Sequence, residues 1–524
     1  MKDLGDFQTP PGLVAAVLRR IGPVGTQWRR VLEPTCGRGH FLAGLLALDP
    51  PPREIHGVEL QDGHVRAARA LARRAPAGVK VGLTHGNLFE VDLRRVPGWT
   101  ETGPLLVVGN PPWVTSAALG VLGSANGPAR RNVRKTAGLE AKTGSSNFDL
   151  AEAVWLKLLN ELAAEPEPVT VALLCKLSVA RRVLEHAAVA GLAVSRASVV
   201  RFDARAWFDA AVEACLLCVT LGPGLPGERP GFERIPVYAD LEASAPASVM
   251  GLARGRLVAD LDTYAPLAFV DGTCPLVWRQ GLKHDAAAVV ELRRVDGNGT
   301  LHNKRGEPVD VEPEQVYPWL KGTDLARQGD VGRSRGQDRA VIVTQRKLGD
   351  DTRRLAQSAP RLWRYLEEHA AAFAARKSSV YRGQPPYAMF GVGPYTFAAW
   401  KVGVSGLHPQ AVFRCLGPDR GRPVLLDDTC YFLACRSLEQ AALLAALANL
   451  PAATGLLRAL SFPGSKRPVT KALLQRLDLH ALLARADRPA LLARAEADIV
   501  RLADRAPTWP ETLEELLEPK TDDR

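Results

Sequence analysis

The chain has 524 residues, a formal net charge of +11, 46 % hydrophobic and 23 % charged side chains. That balance is the balance of a folded chain of roughly two to four domains with a well-buried core. No apolar run approaches the ~20 residues of a membrane span, and the polar start Met1–Asp6 lacks the apolar stretch of a signal peptide, so no membrane association and a cytoplasmic location are expected.

From residue 11 to about 220, helical and strand patterns alternate. Leu13–Ile21 reads as a helix, Arg30–Leu32 as a short strand, Phe41–Leu48 as a helix and Ile55–Glu59 as a strand. Val65–Arg74 (helix), Val79–Thr84 (strand) and Leu105–Val108 (strand) follow, then the helix Ala151–Leu162. The strand Val169–Cys175, a helix around Val179–Ala190 and the strands Val194–Phe202 and Ala214–Leu221 close the series. Such alternation predicts an α/β fold, a mostly parallel sheet covered by helices on both faces. The Gly/Pro-rich stretch at 222–231 is the clearest boundary, and 116–146 is a second irregular region, rich in Gly, Ser, Asn, Arg and Lys. Beyond it the regularity falls: Val341–Thr344, Ala411–Leu416, Val424–Leu426 and Tyr431–Cys435 look like strands, Arg361–Ala375 and Leu438–Leu450 like helices. The division expected is a first domain over 1–222, connecting chain over 223–275, a mixed α+β domain over 276–480 and a helical C-terminal segment over 481–524.

Eight cysteines are scattered through the chain, and only Cys215 and Cys218 lie close together. They fall in an apolar run, where both could not face one metal, so core thiols are expected and no metal site.

Two local patterns carry chemistry. In Val31–Leu42 a strand leads through Glu33-Pro34-Thr35-Cys36-Gly37-Arg38-Gly39 into a helix start, and Glu59 lies 20 residues beyond Gly39 at the end of the next strand. Glycines here let the backbone approach a nucleotide-like ligand, and an acidic residue at that distance can take two ribose hydroxyls. The loop lacks a full phosphate-binding pattern. A ligand with a ribose and a positive centre but no phosphate fits better, namely S-adenosylmethionine, whose sulfonium and amino groups favour the Glu33 carboxylate. Gly86-Asn87-Leu88-Phe89 follows the third strand, where Asn87 can bond an adenine edge and Leu88 or Phe89 can cover its face.

The second pattern is Asn110-Pro111-Pro112-Trp113, directly after Leu105–Gly109. The prolines stiffen the turn and leave carbonyls open to a ligand. Asn110 Oδ1 and the Pro111 carbonyl suit the two protons of a planar –NH2 group, with Trp113 stacking on its ring.

In this order of parts the chain resembles the γ-type S-adenosylmethionine-dependent DNA adenine-N6 methyltransferases of restriction–modification. Phe7-Gln8-Thr9-Pro10 looks like the family's N-terminal motif, which closes over the methionine end of the cofactor. Glu33–Phe41 looks like its acidic-Pro-x-x-Gly-x-Gly-x-Phe loop, and Asn110–Trp113 matches its catalytic tetrad. Asn147–Leu150 and Trp207-Phe208 resemble later motifs, the aromatic Phe208 helping to hold a flipped base. The resemblance covers residues 7 to about 221 and implies a Rossmann-like class I methyltransferase domain. It implies Phe7, Thr9, Pro10, Glu33, Pro34, Gly37, Gly39, Phe41, Glu59, Leu60, Asn87 and Leu88 as cofactor residues. Asn87 stands where the family usually has Asp, which keeps an acceptor and loses a charge.

A catalytic domain of this kind touches one base, so residues 276–480 are expected to read the DNA sequence. Basic residues interleaved with aromatics and glycines make Arg346, Lys347, Tyr381, Arg382, Lys401, Lys466, Arg467 and Lys471 the candidates for DNA contact. Any cleavage activity is expected in a separate restriction endonuclease or defence-complex subunit. The tetrad alone also fits cytosine N4, guanine N2 in ribosomal RNA or protein glutamine amides. A silent methyltransferase fold serving as a DNA-recognition subunit is the alternative of a different class.

Overall fold

A computed structural model describes residues 8–114, 149–222, 231–294, 300–327 and 338–518. Phe7, the Asn147-Phe148 dipeptide, the 116–146 region and the Gly/Pro stretch at 223–230 lie outside the described residues. The chain divides into two compact units, Met1–Asp262 and Thr263–Arg524.

The first unit is built on one sheet. Its strands are β1 (Arg30–Glu33), β2 (Glu54–Glu59), β3 (Lys80–His85), β4 (Leu105–Gly109), β5 (Val169–Lys176), β6 (Val194–Asp203), β7 (Glu213–Leu221), β8 (Ile235–Tyr238), β9 (Ser248–Ala253) and β10 (Arg256–Val258). They lie in the order β10-β9-β8-β6-β7-β5-β4-β1-β2-β3. The block β3-β2-β1-β4-β5 is parallel throughout, and β7 is antiparallel to both β5 and β6. This is the Rossmann-like α/β arrangement of class I methyltransferases, with a reversed β7 at the far side of the parallel block. Every residue of β1 and β4 is buried, as expected of strands covered on both faces.

The helices are α1 (Pro11–Ile21), α2 (His40–Leu46), α3 (Asp62–Ala72), α4 (Leu150–Leu162), α5 (Leu177–Val189) and the short α6 (Ala204–Phe208). α1 has Pro11 at its first position and Arg19 and Arg20 in its last turn, both favourable ends. Asp149 caps α4 by accepting from the Ala151 N–H at 3.2 Å. Chain order reverses between β1 and β4, which opens a crevice at their carboxyl ends.

One difference from the sequence reading concerns 223–275, taken there as connecting chain. Residues of that segment form β8, β9 and β10, which extend the first sheet beyond β6. These strands are short and their pairing is set by the neighbouring β6, so no local period marks them.

The second unit carries two smaller sheets. One runs β11 (Arg279–Gln280), β19 (Cys430–Cys435), β16 (Trp400–Ser405), β17 (Arg414–Leu416) in spatial order. The other runs β13 (Leu301–Asn303), β12 (Glu291–Arg294), β15 (Arg339–Ile342), β14 (Val316–Leu320), β18 (Leu425–Leu426). A core of Val289, Val290, Trp319, Val341, Leu362 and Met389 backs the five-stranded sheet. Helices dominate after Leu438, ending with Arg488–Ala503. Among the described residues no single helix is long and apolar enough to cross a membrane. Leu438–Ala448, buried at every position, owes its apolar sequence to its place inside the second unit.

Candidate active site

The crevice at the carboxyl ends of β1, β2 and β4 is an open cleft, about 1040 Å³ with its solvent-filled mouth included. Each strand contributes one polar side chain where it ends. β1 delivers Glu33, β2 delivers Glu59, and Asn110 follows β4.

Glu33 is 3 % exposed, and its Oε2 has no hydrogen-bond partner among the described residues. Burial pushes its carboxyl well above the usual carboxylate range; the Leu42 backbone N–H opposes this, and the nearby Glu59 adds to it. A buried carboxylate with an unused oxygen facing a cleft calls for a cationic ligand or a proton.

Glu59 is held differently. Its Oε2 accepts from the Gly37 N–H at 2.8 Å and its Oε1 from the Gln61 N–H at 2.7 Å. His64 stands 3.8 Å from Oε1. The glycine turn and the start of α3 thus hold this carboxylate in one orientation, with lone pairs left for hydroxyl donors. Gly37 has φ 53° and lies close under the Gln8 side chain, so the turn both bends and remains thin enough for the ligand space.

The N-terminal segment enters the site through Thr9. Asn110 Nδ2 donates to Thr9 Oγ1 at 3.2 Å, and His40 Nδ1 donates to the Thr9 carbonyl at 2.7 Å. With its nitrogen so engaged, the amide of Asn110 turns its oxygen to the opposite side.

Trp113 is 8 % exposed. Its indole N–H reaches the Leu174 carbonyl at 3.3 Å, and its ring meets Phe208 edge-on at 5.4 Å and Phe202 at 6.3 Å. These three rings form a cluster beside the Asn-Pro-Pro turn.

Of the residues expected from sequence, Thr9, Glu33, Pro34, Gly37, Phe41, Glu59, Leu60, Asn87, Leu88, Asn110 and Pro112 line the cleft. Pro10, Gly39, Pro111, Trp113 and Phe208 do not. Pro10 instead precedes α1 as its N-cap residue, its carbonyl accepting from the N–H groups of Leu13 and Val14. Gly39, at φ 88°, lets α2 pass within contact of Ala68 and Leu71 on α3.

Asn87 lines the cleft and also caps the turn Leu88–Glu90, its Oδ1 accepting from the Phe89 N–H at 3.1 Å; the amide oxygen keeps a second lone pair. The sequence reading missed Gln8, Thr35, Cys36, His40, Gln61, His64, Leu150 and Val154 as lining residues. Thr35, Cys36 and His40 carried a signal by falling within or beside the glycine turn, and Gln8 and Leu150 by falling within motifs of the resemblance.

The residues proposed for DNA contact scatter. Lys401 is corrected outright: it is 1 % exposed inside β16, between β19 and β17, and its ammonium bonds the Ala398 carbonyl. Burial pulls its pKa down to about 7. Arg467 is paired with Asp428 at 3.0 Å, and Arg346 bonds the Tyr317 hydroxyl while lying over Phe397. Tyr381 is half-buried beneath the Arg376 guanidinium, 3.7 Å away. Lys347, Arg382, Lys466 and Lys471 are exposed.

No protein-family model matches the chain. It is 31 % identical over 485 residues to the type II methyltransferase M.NspV of Nostoc sp., covering 91 % of this chain and 96 % of that protein. Among solved structures it is similar to the type IIL restriction–modification enzyme MmeI in complex with DNA, at 10 % identity and a TM-score of 0.47, over 97 % of this chain and 74 % of the other. The M protein of the type I restriction enzyme EcoKI aligns at 16 % identity and a TM-score of 0.31, over 51 % of this chain and 54 % of that one.

Proposed function

This chain belongs to the family of type II methyltransferases, S-adenosylmethionine-dependent enzymes of restriction–modification that methylate DNA, and we propose that its target is the N6 amine of an adenine flipped out of the duplex. The observation that carries this reading is the convergence of Glu33, Glu59 and Asn110 on one cleft from the ends of three adjacent strands.

The buried, unpartnered oxygen of Glu33 and the fixed carboxylate of Glu59 fit S-adenosylmethionine, which supplies a methyl group on a cationic sulfur. In this reading Glu59 accepts the ribose hydroxyls, Glu33 faces the positive end of the ligand, and Leu60 and Leu88 cover the purine. Gln8 and Thr9 border the same space from the N-terminal side.

Asn110 and the Pro111 carbonyl accept the two protons of the target amine. The nitrogen's lone pair is delocalised into the ring, and two acceptors favour the tetrahedral form that attacks the methyl. The aminium product is acidic, so no strong general base is needed. Catalysis is then alignment plus exclusion of water. The ring cluster of Trp113, Phe202 and Phe208 supplies the apolar wall beside which an extruded base is received. We assign reading of the DNA sequence to the second unit, where Lys347, Arg382, Lys466 and Lys471 present their charges to solvent.

Incubation with labelled S-adenosylmethionine and duplex DNA, followed by hydrolysis to nucleosides, tests the proposal. Label in N6-methyladenosine supports it. Label in N4-methylcytosine moves the target to cytosine, and an unlabelled duplex overturns the assignment.

A further inference from the structure

Lys176 ends β5 at the carboxyl edge of the sheet, one strand over from the Asn-Pro-Pro turn. Its ammonium donates to two groups from different parts of the chain, the Trp113 carbonyl at 3.0 Å and Asp149 Oδ2 at 2.6 Å. Asp149 is 4 % exposed, and its other oxygen caps α4. Beside this junction the Leu150 N–H donates to the Val114 carbonyl at 2.8 Å. Two positions earlier in β5, the Leu174 carbonyl receives the Trp113 indole N–H. The last residue of the tetrad is therefore tied to β5 through both its ring and its backbone, and α4 is docked at the same point.

Stability does not ask for this arrangement. Apart from Thr170 the rest of β5 is apolar and buried, and a nearly buried ion pair gains little over a well-packed apolar pair. A charge placed there serves geometry: an ammonium has three donors, and this one joins two acceptors that an apolar side chain could not hold together.

We propose that Lys176 is a positioning residue for methyl transfer: by binding the Trp113 carbonyl and the Asp149 carboxylate at once, it fixes the peptide planes after Asn110 and so the direction in which the Asn110 amide and the Pro111 carbonyl meet the target amine. The proposal rests on the reading of residues 110–113 as the clamp for the methyl-accepting amine. Nothing in it requires Lys176 to touch cofactor or base. Loss of the tie displaces acceptors by a fraction of an ångström to an ångström, which acts on the rate of the aligned complex more than on its formation.

The test compares Lys176→Met, Lys176→Arg, Asp149→Asn and Asn110→Ala in the full chain. Methyl transfer to duplex DNA is measured under single-turnover conditions, with S-adenosylmethionine affinity and stoichiometry measured by calorimetry. K176M is expected to lose about tenfold to a hundredfold in the transfer rate, with binding stoichiometry kept and affinity within about threefold. K176R restores most of the rate, since it can still donate to both acceptors, and D149N falls between. A K176M enzyme at the wild-type rate, or a rate loss matched by an equal loss of binding stoichiometry, overturns the proposal; so does K176R no faster than K176M. Asn110→Ala separates the two levels. If N110A is inactive while K176M is unimpaired, the positioning role alone fails. If N110A retains transfer, the clamp reading fails and takes this proposal with it.

Discussion

The side-chain amide of Asn110 donates to the hydroxyl of Thr9 at 3.2 Å, joining the end of β4 to the segment that leads into α1. Thr9 is 5 % exposed and is bonded a second time, through its carbonyl, to His40 at the start of α2. The orientation of the amide is thus set by a residue far away in sequence. Thr9→Val, which keeps the shape and removes the hydroxyl, is expected to slow methyl transfer about tenfold, and Thr9→Ser to restore it. Single-turnover rates at saturating S-adenosylmethionine would bear this out; a Val enzyme as fast as Ser would show that the bond does not orient the amide.

Glu33 gives a pH dependence whose sign follows from its burial. Its carboxyl titrates well above the usual range in the folded chain, so the folded state holds a proton that the unfolded state gives up. The stability connected with this group is full below the unfolded carboxyl pKa and is lost as pH rises through the folded one. A cationic ligand reverses that loss by stabilising the carboxylate. Thermal melting from pH 5 upward should show a decline that S-adenosylmethionine offsets and that Glu33→Gln removes. Equal slopes in wild type and E33Q would contradict it.

Lys401 behaves in the opposite sense. Its pKa is pulled from 10.5 down to about 7 by burial, so the unfolded chain binds the extra proton. Stability on account of this residue rises as pH goes from about 7 toward 10.5 and is lost as pH falls through 7. Lys401→Met removes the buried amine at similar volume. Urea unfolding should find K401M more stable than wild type near pH 6.5, with the advantage shrinking by pH 9.5. A K401M protein less stable at both pH values would show that the Ala398 bond outweighs desolvation.

Gly39 is constrained by conformation as well as by space. It has φ 88°, and a Cβ there would stand 3.0 Å from Leu71 and 3.4 Å from Ala68. Gly39→Ala should cost about 1–2 kcal/mol for the left-handed backbone alone, with further loss from pushing α2 off α3. Denaturant midpoints of G39A and wild type at fixed pH decide this, and a change under about 0.5 kcal/mol would mean the turn relaxes freely.

The parts of the site legible in the sequence were those carried by contiguous residues. Leu105–Gly109 reads as a buried strand and Asn110–Trp113 as the turn it delivers. Glu33 and Glu59 are found because a strand–turn–helix unit puts the ends of successive parallel strands at one edge. The bond between Thr9 and Asn110 and the tie made by Lys176 are pairings across the fold, and no spacing announces them. Lys401 was misplaced because basic and aromatic residues near Gly look alike whether they lie on a surface or in a central strand. The backbone cap made by Asn87 was illegible for a related reason: a short amide after a strand serves a cap as readily as a ligand. Strands β8 to β10 escaped notice because their existence depends on an available edge at β6.

The hydrogen bond between Val114 and Leu150, with Lys176 beside it, brings together the two points where the chain leaves the catalytic turn and where it comes back. The chain therefore closes on itself beside the clamp: the peptide after Trp113 and the first turn of α4 are held to each other as well as to Lys176, so a change at one is felt at the other.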